Sequence, residues 1–259
     1  MKGKLFALAL ALGTCAGCPA TQVRKLDTRL NELYDARRGG RASAATSADL
    51  VALAKEARAK AEQAPDPVER VELYRIAAVA AWQAGEPGKS LVGPIAQAGL
   101  TACQALPGGE SDAPQDCAVI RLTVPLAAAD DLARQLIAFQ QKQKSLPTKV
   151  LPAADLAPIE RLFDGFETQL TNVTTIRDRM RRLDVSDEIT IPTDTQRLVI
   201  YCNAARAWSL TADVDGTSMA DFTAMEQRKR TMAAALERDG MATDCQAVPF
   251  MLTSDAGPR

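Results

Sequence analysis

Apolar residues recur every three or four positions along most of this chain, and alternation with a period of two is nearly absent. Such spacing gathers apolar side chains on one face of an α-helix. Val23, Leu26, Leu30, Leu33 and Tyr34 form one such face and predict a helix over about 21–38, closed by Gly39-Gly40. Ser47 or Asp49 is placed to cap a second helix ending near Gln63, with Leu50, Leu53 and Ala57 inward. Asp66-Pro67 opens a third, because proline suits a first helical turn; Val71, Leu73, Ile76, Ala77, Ala80 and Ala81 are its inward side, and it stops at Gly85. A fourth covers about 88–106 and ends at Pro107-Gly108-Gly109. A fifth covers about 116–144, with Val119, Leu122, Leu126, Leu132, Leu136 and Phe139 as its stripe.

Pro147, Pro152 and Pro158 mark a connector over 146–157. Beyond it Ile159, Leu162, Phe163, Phe166, Leu170, Val173, Ile176 and Met180 give the strongest amphipathic pattern of the chain, a long central helix at about 155–184. A short extended segment is expected at 189–192, then helices over about 194–212 and 218–238, with Gly240 closing the last. The fold class is all-α: about eight helices in antiparallel hairpins. Helical hairpins fill 46–145, and a helical part over 158–245 packs with them as one domain, followed by a tail at 246–259.

Residues 1–17 follow another pattern. Lys2 and Lys4 precede eight unbroken apolar residues, Leu5 to Leu12, and small residues follow. This is the layout of a secretory signal peptide. Eight residues rise only about 12 Å as a helix, against a bilayer core of about 30 Å, so the run is too short to span. The Ala16-Gly17-Cys18 ending resembles the lipobox of bacterial lipoproteins, which usually has Leu where this chain has Cys15. The resemblance implies cleavage before Cys18 and lipidation of its thiol. With Pro19 rather than Asp next, it also implies attachment to the outer membrane, facing the periplasm. Cys15 has Leu12 at the third place before it but Thr14 immediately before it. The alternative is an ordinary signal peptide cut near Ala20, releasing a soluble protein.

Cleavage before Cys18 leaves 242 of 259 residues and removes two lysines, so 29 basic residues face 32 acidic ones, a net of −3. A nucleic-acid binder would carry a basic excess instead, so no nucleic-acid partner is expected. The chain has no histidine, which removes histidine general acid–base catalysis, histidine-containing nucleophile triads and histidine metal ligands. Four cysteines remain besides Cys15 and Cys18, an even number in an exported chain: Cys103, Cys117, Cys202 and Cys245. Of three possible pairings, the helix order favours Cys103–Cys117, at the mouth of a hairpin whose helices carry Pro94 and Pro125 at matching heights. It also favours Cys202–Cys245, since five extended residues after Gly240 reach back about 17 Å. Unpaired buried thiols are the alternative, and no Cys-x-x-Cys suggests zinc.

The stretch 73–106 resembles one tetratricopeptide helix pair, with Ile76-Ala77 where that repeat has a Leu-Gly step and Gly85 near its turn; no second copy follows at that period. Gly85-Glu86-Pro87-Gly88-Lys89-Ser90 has Gln83 where a phosphate-binding loop needs glycine, and reads as an interhelical turn. Asp213-Val214-Asp215-Gly216 reads the same way: an EF-hand frame would put its first ligand at Thr211 and its bidentate glutamate at Phe222. The carboxylates Asp130-Asp131, Asp184, Asp187 and Glu188 are expected on solvated surface. Arg177, Arg179, Arg181 and Arg182 are expected to complement the negative end of the long helix. Arg24, Lys25, Arg29, Arg37, Arg38 and Arg41 make the first helix basic beside the anchor. No catalytic residue, metal site or cofactor is indicated. The expected function is a non-enzymatic, lipid-anchored interaction module that binds another envelope protein. A carrier of an apolar small molecule, with a sealed cavity near Pro94 and Pro125, and a carboxylate-based peptidoglycan-acting enzyme are the alternatives.

Overall fold

The computed structural model describes residues 19–37, 43–246 and 248. Residues 1–18, among them Cys18, residues 38–42, among them Arg38, Gly39-Gly40 and Arg41, and most of the tail lie outside them. The described residues form α1 (Pro19–Ala36), α2 (Ala44–Gln63), α3 (Pro67–Gln83), α4 (Lys89–Gln104), α5 (Pro114–Ser145), α6 (Leu156–Arg182), α7 (Asp187–Thr211) and α8 (Met219–Arg238). The fold is all-α. Among the described residues no helix is long and apolar enough to cross a membrane.

Side-chain caps set the starts of α2, α3 and α8. Asp66 accepts from the backbone N–H groups of Val68 and Glu69, and Pro67 supplies the first turn of α3. Ser218 caps α8 through the N–H of Asp221. The cap of α2 is Ser43, which accepts from Thr46 N–H, so this helix starts several residues before Ser47 and Asp49. Gly85 turns the chain between α3 and α4 at φ 69°, a conformation that favours glycine.

The helices follow one another as packed neighbours. α2 lies on α3, α3 on α4 and α5, α5 on α6, and α6 on α7, with α1 against α2 and α3 and α8 against α7. Gly99 lets α4 approach closely: a Cβ there would stand 3.0 Å from Tyr74 Cβ and 3.1 Å from Ile120. Pro94 and Pro125 both sit inside continuous helices. The connector 146–157 is pinned to the α7–α8 turn, where Leu151 N–H donates to Asp213 O at 2.7 Å and Asp215 N–H to Leu151 O at 2.9 Å. This bridge and the hydrogen bond from Gln143 to Asp213 at 2.7 Å give the Asp213–Gly216 stretch its place as an interhelical turn.

Three sequence expectations are corrected. No extended segment exists at 189–192; α7 runs through it from Asp187. Pro192 removes one backbone donor near the helix start, and the Thr190, Thr193 and Thr195 hydroxyls donate to carbonyls four residues back. The buried side of this helix runs through Thr190, Thr193, Arg197, Ile200, Ala204 and Ala207, a helical stripe written partly in polar residues. Arg177 does not join a surface cluster at the end of α6 but is buried at 1% exposure. It grips both oxygens of Asp194, with Nη2 at 2.9 Å. Arg197, at 0% exposure, reaches Asp194 at 2.9 Å, Asp239 at 2.6 Å and Thr174 at 3.1 Å, tying α6, α7 and the end of α8 together. Asp130 is likewise buried, accepting from Trp82 Nε1 at 2.9 Å, whereas Asp184, Asp187 and Glu188 are exposed as expected.

Cys103 faces Cys117 and Cys202 faces Cys245 at disulfide distance, with Cα separations of 6.0 and 5.4 Å. The second pair folds the segment after α8 back onto α7, where Arg206 donates to the carbonyls of Cys245 and Val248.

Candidate functional site

A groove opens where α3, α5 and α7 meet. Val79 and Trp82 line it from α3, Val119, Leu122, Thr123 and Leu126 from α5, and Glu188, Ile189, Pro192, Thr193 and Gln196 from α7. Its volume is about 170 Å³. Helical period explains the lining: Val119, Leu122, Thr123 and Leu126 fall three, one and three residues apart, and Ile189, Thr193 and Gln196 follow the same rule on α7.

The groove is apolar although its walls contain threonines. Thr123 Oγ1 donates to Ile120 O at 2.7 Å and Thr193 Oγ1 to Ile189 O at 2.8 Å, so each hydroxyl proton is used within its own helix. The Trp82 indole N–H is turned inward to the buried Asp130 carboxylate, leaving the ring to serve as apolar wall. Glu188 is exposed at the rim and Gln196 half-buried. Ile191 and Val124, each next in sequence to a lining residue, are exposed at 63% and 45%. A depression of this size accepts one or two aliphatic side chains; small-molecule sites usually run to at least about 300 Å³.

The floor is held firmly. Behind Asp130, Asp131 pairs with Lys89 at 2.6 Å and with Arg134, which also faces Glu86 at 3.5 Å. Donating to the Asp131 carboxylate raises the pKa of the Lys89 ammonium above its ordinary value. This lattice occupies the turn that resembles a phosphate-binding loop. Gly88 there packs too tightly for any side chain, since a Cβ would stand 2.0 Å from Ala81 O. Between α4 and α5 near Pro94 and Pro125 the space is filled: Val92, Ile95, Leu122 and Leu126 are buried. The cleft touching Val92, Ala127 and Asp130 measures about 10 Å³, at the lower limit for one water.

The remaining sequence candidates are dispersed. Arg179 pairs with Glu110 at 2.7 Å and Arg181 with Asp239 at 3.4 Å, while Arg182 is exposed. Among the described residues no group of three Cys, Asp or Glu side chains is placed to hold a metal ion. Sequence reasoning missed the groove because Ile189 and Pro192 of its α7 wall lie in the segment read as extended. The usable signal was the Ile189, Thr193, Gln196 spacing.

Compared with known proteins, the chain matches no family model, no curated protein and no solved structure.

Proposed function

We propose that this protein is a lipid-anchored, periplasm-facing interaction module of the bacterial outer membrane. In this reading it is non-enzymatic and binds an amphipathic helix of another envelope protein in the α3–α5–α7 groove. The observation that carries the reading is the groove itself, an apolar depression of about 170 Å³ with its hydroxyls internally bonded and a carboxylate at its edge. Recognition of a helix in such a groove uses one or two apolar side chains spaced by a helical turn. Glu188 asks for a basic residue beside them. The small volume and the filled space between α4 and α5 speak against a carrier of lipid-sized ligands. The address rests on Lys2, Lys4, the Leu5–Leu12 run and Cys18.

Two experiments test the two halves. Metabolic labelling with palmitate should mark the native chain and leave Cys18→Ser unmarked; an unmarked native chain removes the anchor. For the groove, a photoreactive amino acid at Gln196 should cross-link one protein in intact envelopes. Val119→Glu should abolish that cross-link and Glu188→Lys should weaken it at least tenfold. A cross-link indifferent to both substitutions places the partner elsewhere.

A further inference from the structure

A second cleft, about 360 Å³ in volume, lies where the turn between α2 and α3 meets α1. It has about twice the 170 Å³ of the groove and falls within the size range of small-molecule sites, which begins at about 300 Å³. Polar side chains edge it: Gln22 from α1, Lys60 and Gln63 from α2 and Glu69 from α3, together with Pro65 of the turn and Leu73. The hairpin sets its two charges opposite each other. Lys60 comes five residues before Pro65 and Glu69 four after it, so they stand within about 2 Å of the same height on neighbouring helices. The α1 wall is held in place by the buried Leu26 and Leu30 and by the pairing of Arg29 with Glu56 at 3.1 Å and of Asp27 with Arg75 at 2.7 Å.

Most charges around the cleft are already engaged. Asp66 accepts from the N–H groups of Val68 and Glu69 at 2.8 and 3.0 Å, Glu62 accepts from Arg58 at 2.9 Å, and Arg70 donates to the carbonyl of Ala64 at 2.6 Å. Glu69 is the exception. Its Oε2 is buried and accepts no hydrogen bond among the described residues. A carboxylate oxygen that has lost its water without gaining a donor is costly, and a cationic N–H relieves that cost best. Lys60 is also incompletely used. Its ammonium carries three N–H donors; Gln22 Oε1 takes one at 3.1 Å, and Glu56 stands at 4.0 Å. Because Gln22 accepts through its oxygen, its amide NH₂ remains to donate beside that ammonium.

We propose that this cleft binds a free aliphatic α-amino acid, its ammonium on Glu69 and its carboxylate on Lys60 and Gln22. A ligand lacking either charge leaves one of the two opposed groups without a partner. Pro65 and Leu73 give the aliphatic side chain an apolar contact, and no aromatic ring lines the cleft to stack a sugar or a base. The site is separate from the groove: Val79, ten residues beyond Glu69, is about 15 Å further along α3.

The test is calorimetric titration of the full chain with leucine, N-acetylleucine, which lacks the ammonium, and leucinamide, which lacks the carboxylate. Leucine should bind saturably and each analogue at least tenfold more weakly. Glu69→Gln should remove the preference for leucine over N-acetylleucine, and Lys60→Met the preference over leucinamide. A variant that merely disturbs the hairpin weakens all three ligands together, and the three titrations of the native chain decide the matter even if a variant misfolds. A native chain that gives no saturable heat with leucine, or that binds the analogues as tightly, overturns the proposal. Leucine binding whose selectivity survives both substitutions overturns the cleft as its site. None of these outcomes bears on the cross-link from Gln196, which tests the groove.

Discussion

The α2–α3 and α6–α7 pairs make the two largest helix contacts among the described residues, and they are built from opposite materials. Between α2 and α3 alanine predominates: Ala54, Ala57, Ala61, Ala77, Ala80 and Ala81 are all 0% exposed, beside Leu50, Leu53, Val71 and Ile76. The alanine side chains lose no rotamer freedom on burial and let the backbones approach. Between α6 and α7, Arg177 and Arg197 are buried and paired with Asp194 and Asp239. One half closes by bringing helices together, the other by filling the gap with long cations and their partners. The first solution is sensitive to added volume, the second to a lost partner.

The largest expected effect is on the charged half. Arg197→Ala should cost about 3–5 kcal/mol in denaturant unfolding, because it removes the buried guanidinium that bridges Asp194, Asp239 and Thr174 and leaves its volume unfilled between α6 and α7. Replacing the whole set, Arg177→Met and Arg197→Met with Asp194→Leu and Asp239→Leu, should recover most of that loss. A single-variant loss below about 1 kcal/mol would mean that the network is solvated and the contrast with the alanine pair is false.

The disulfides extend the comparison. Cys202–Cys245 closes a loop of 43 residues and Cys103–Cys117 one of 14. Loop entropy assigns them about 4 and about 3 kcal/mol, so paired Cys→Ser variants should differ by about 1 kcal/mol, the C-terminal pair losing more. In the alanine half, Ala77→Leu should cost about 1–3 kcal/mol by overpacking, read from the same unfolding curves. The smallest effect is electrostatic. Lys229 and Arg230 hold the Glu226 carboxyl below its ordinary value of 4.5. A lowered folded value means stability that is present above pH 4.5 and lost as pH falls through the folded value. Glu226→Gln should therefore be about 0.5 kcal/mol less stable at neutral pH, with the gap closing in acid.

Legibility followed the same divide. Where the stripe is apolar, as in α3 and α6, the sequence locates the helix and names its inward residues. Asp66-Pro67 announces its own helix start. The cysteine pairs could be proposed from hairpin geometry, since neighbouring helices bring each pair together. Buried polar groups escaped because each residue type is usually exposed. Arg177 reads as a helix-end cation, Asp130 as half of a surface acidic pair, and Ile189 to Pro192 as an extended segment. The groove was hidden by the last of these errors.

The sequence by itself determined the all-α class, the number and order of the helices and the absence of histidine chemistry, because period, caps and composition are local properties. Only the tertiary structure decided which charges are buried, and that Trp82, Leu126 and Ile189 share one apolar depression. Residues on α3, α5 and α7 meet only after the intervening helices have packed, and a polar side chain becomes a core residue only when the fold supplies its partner.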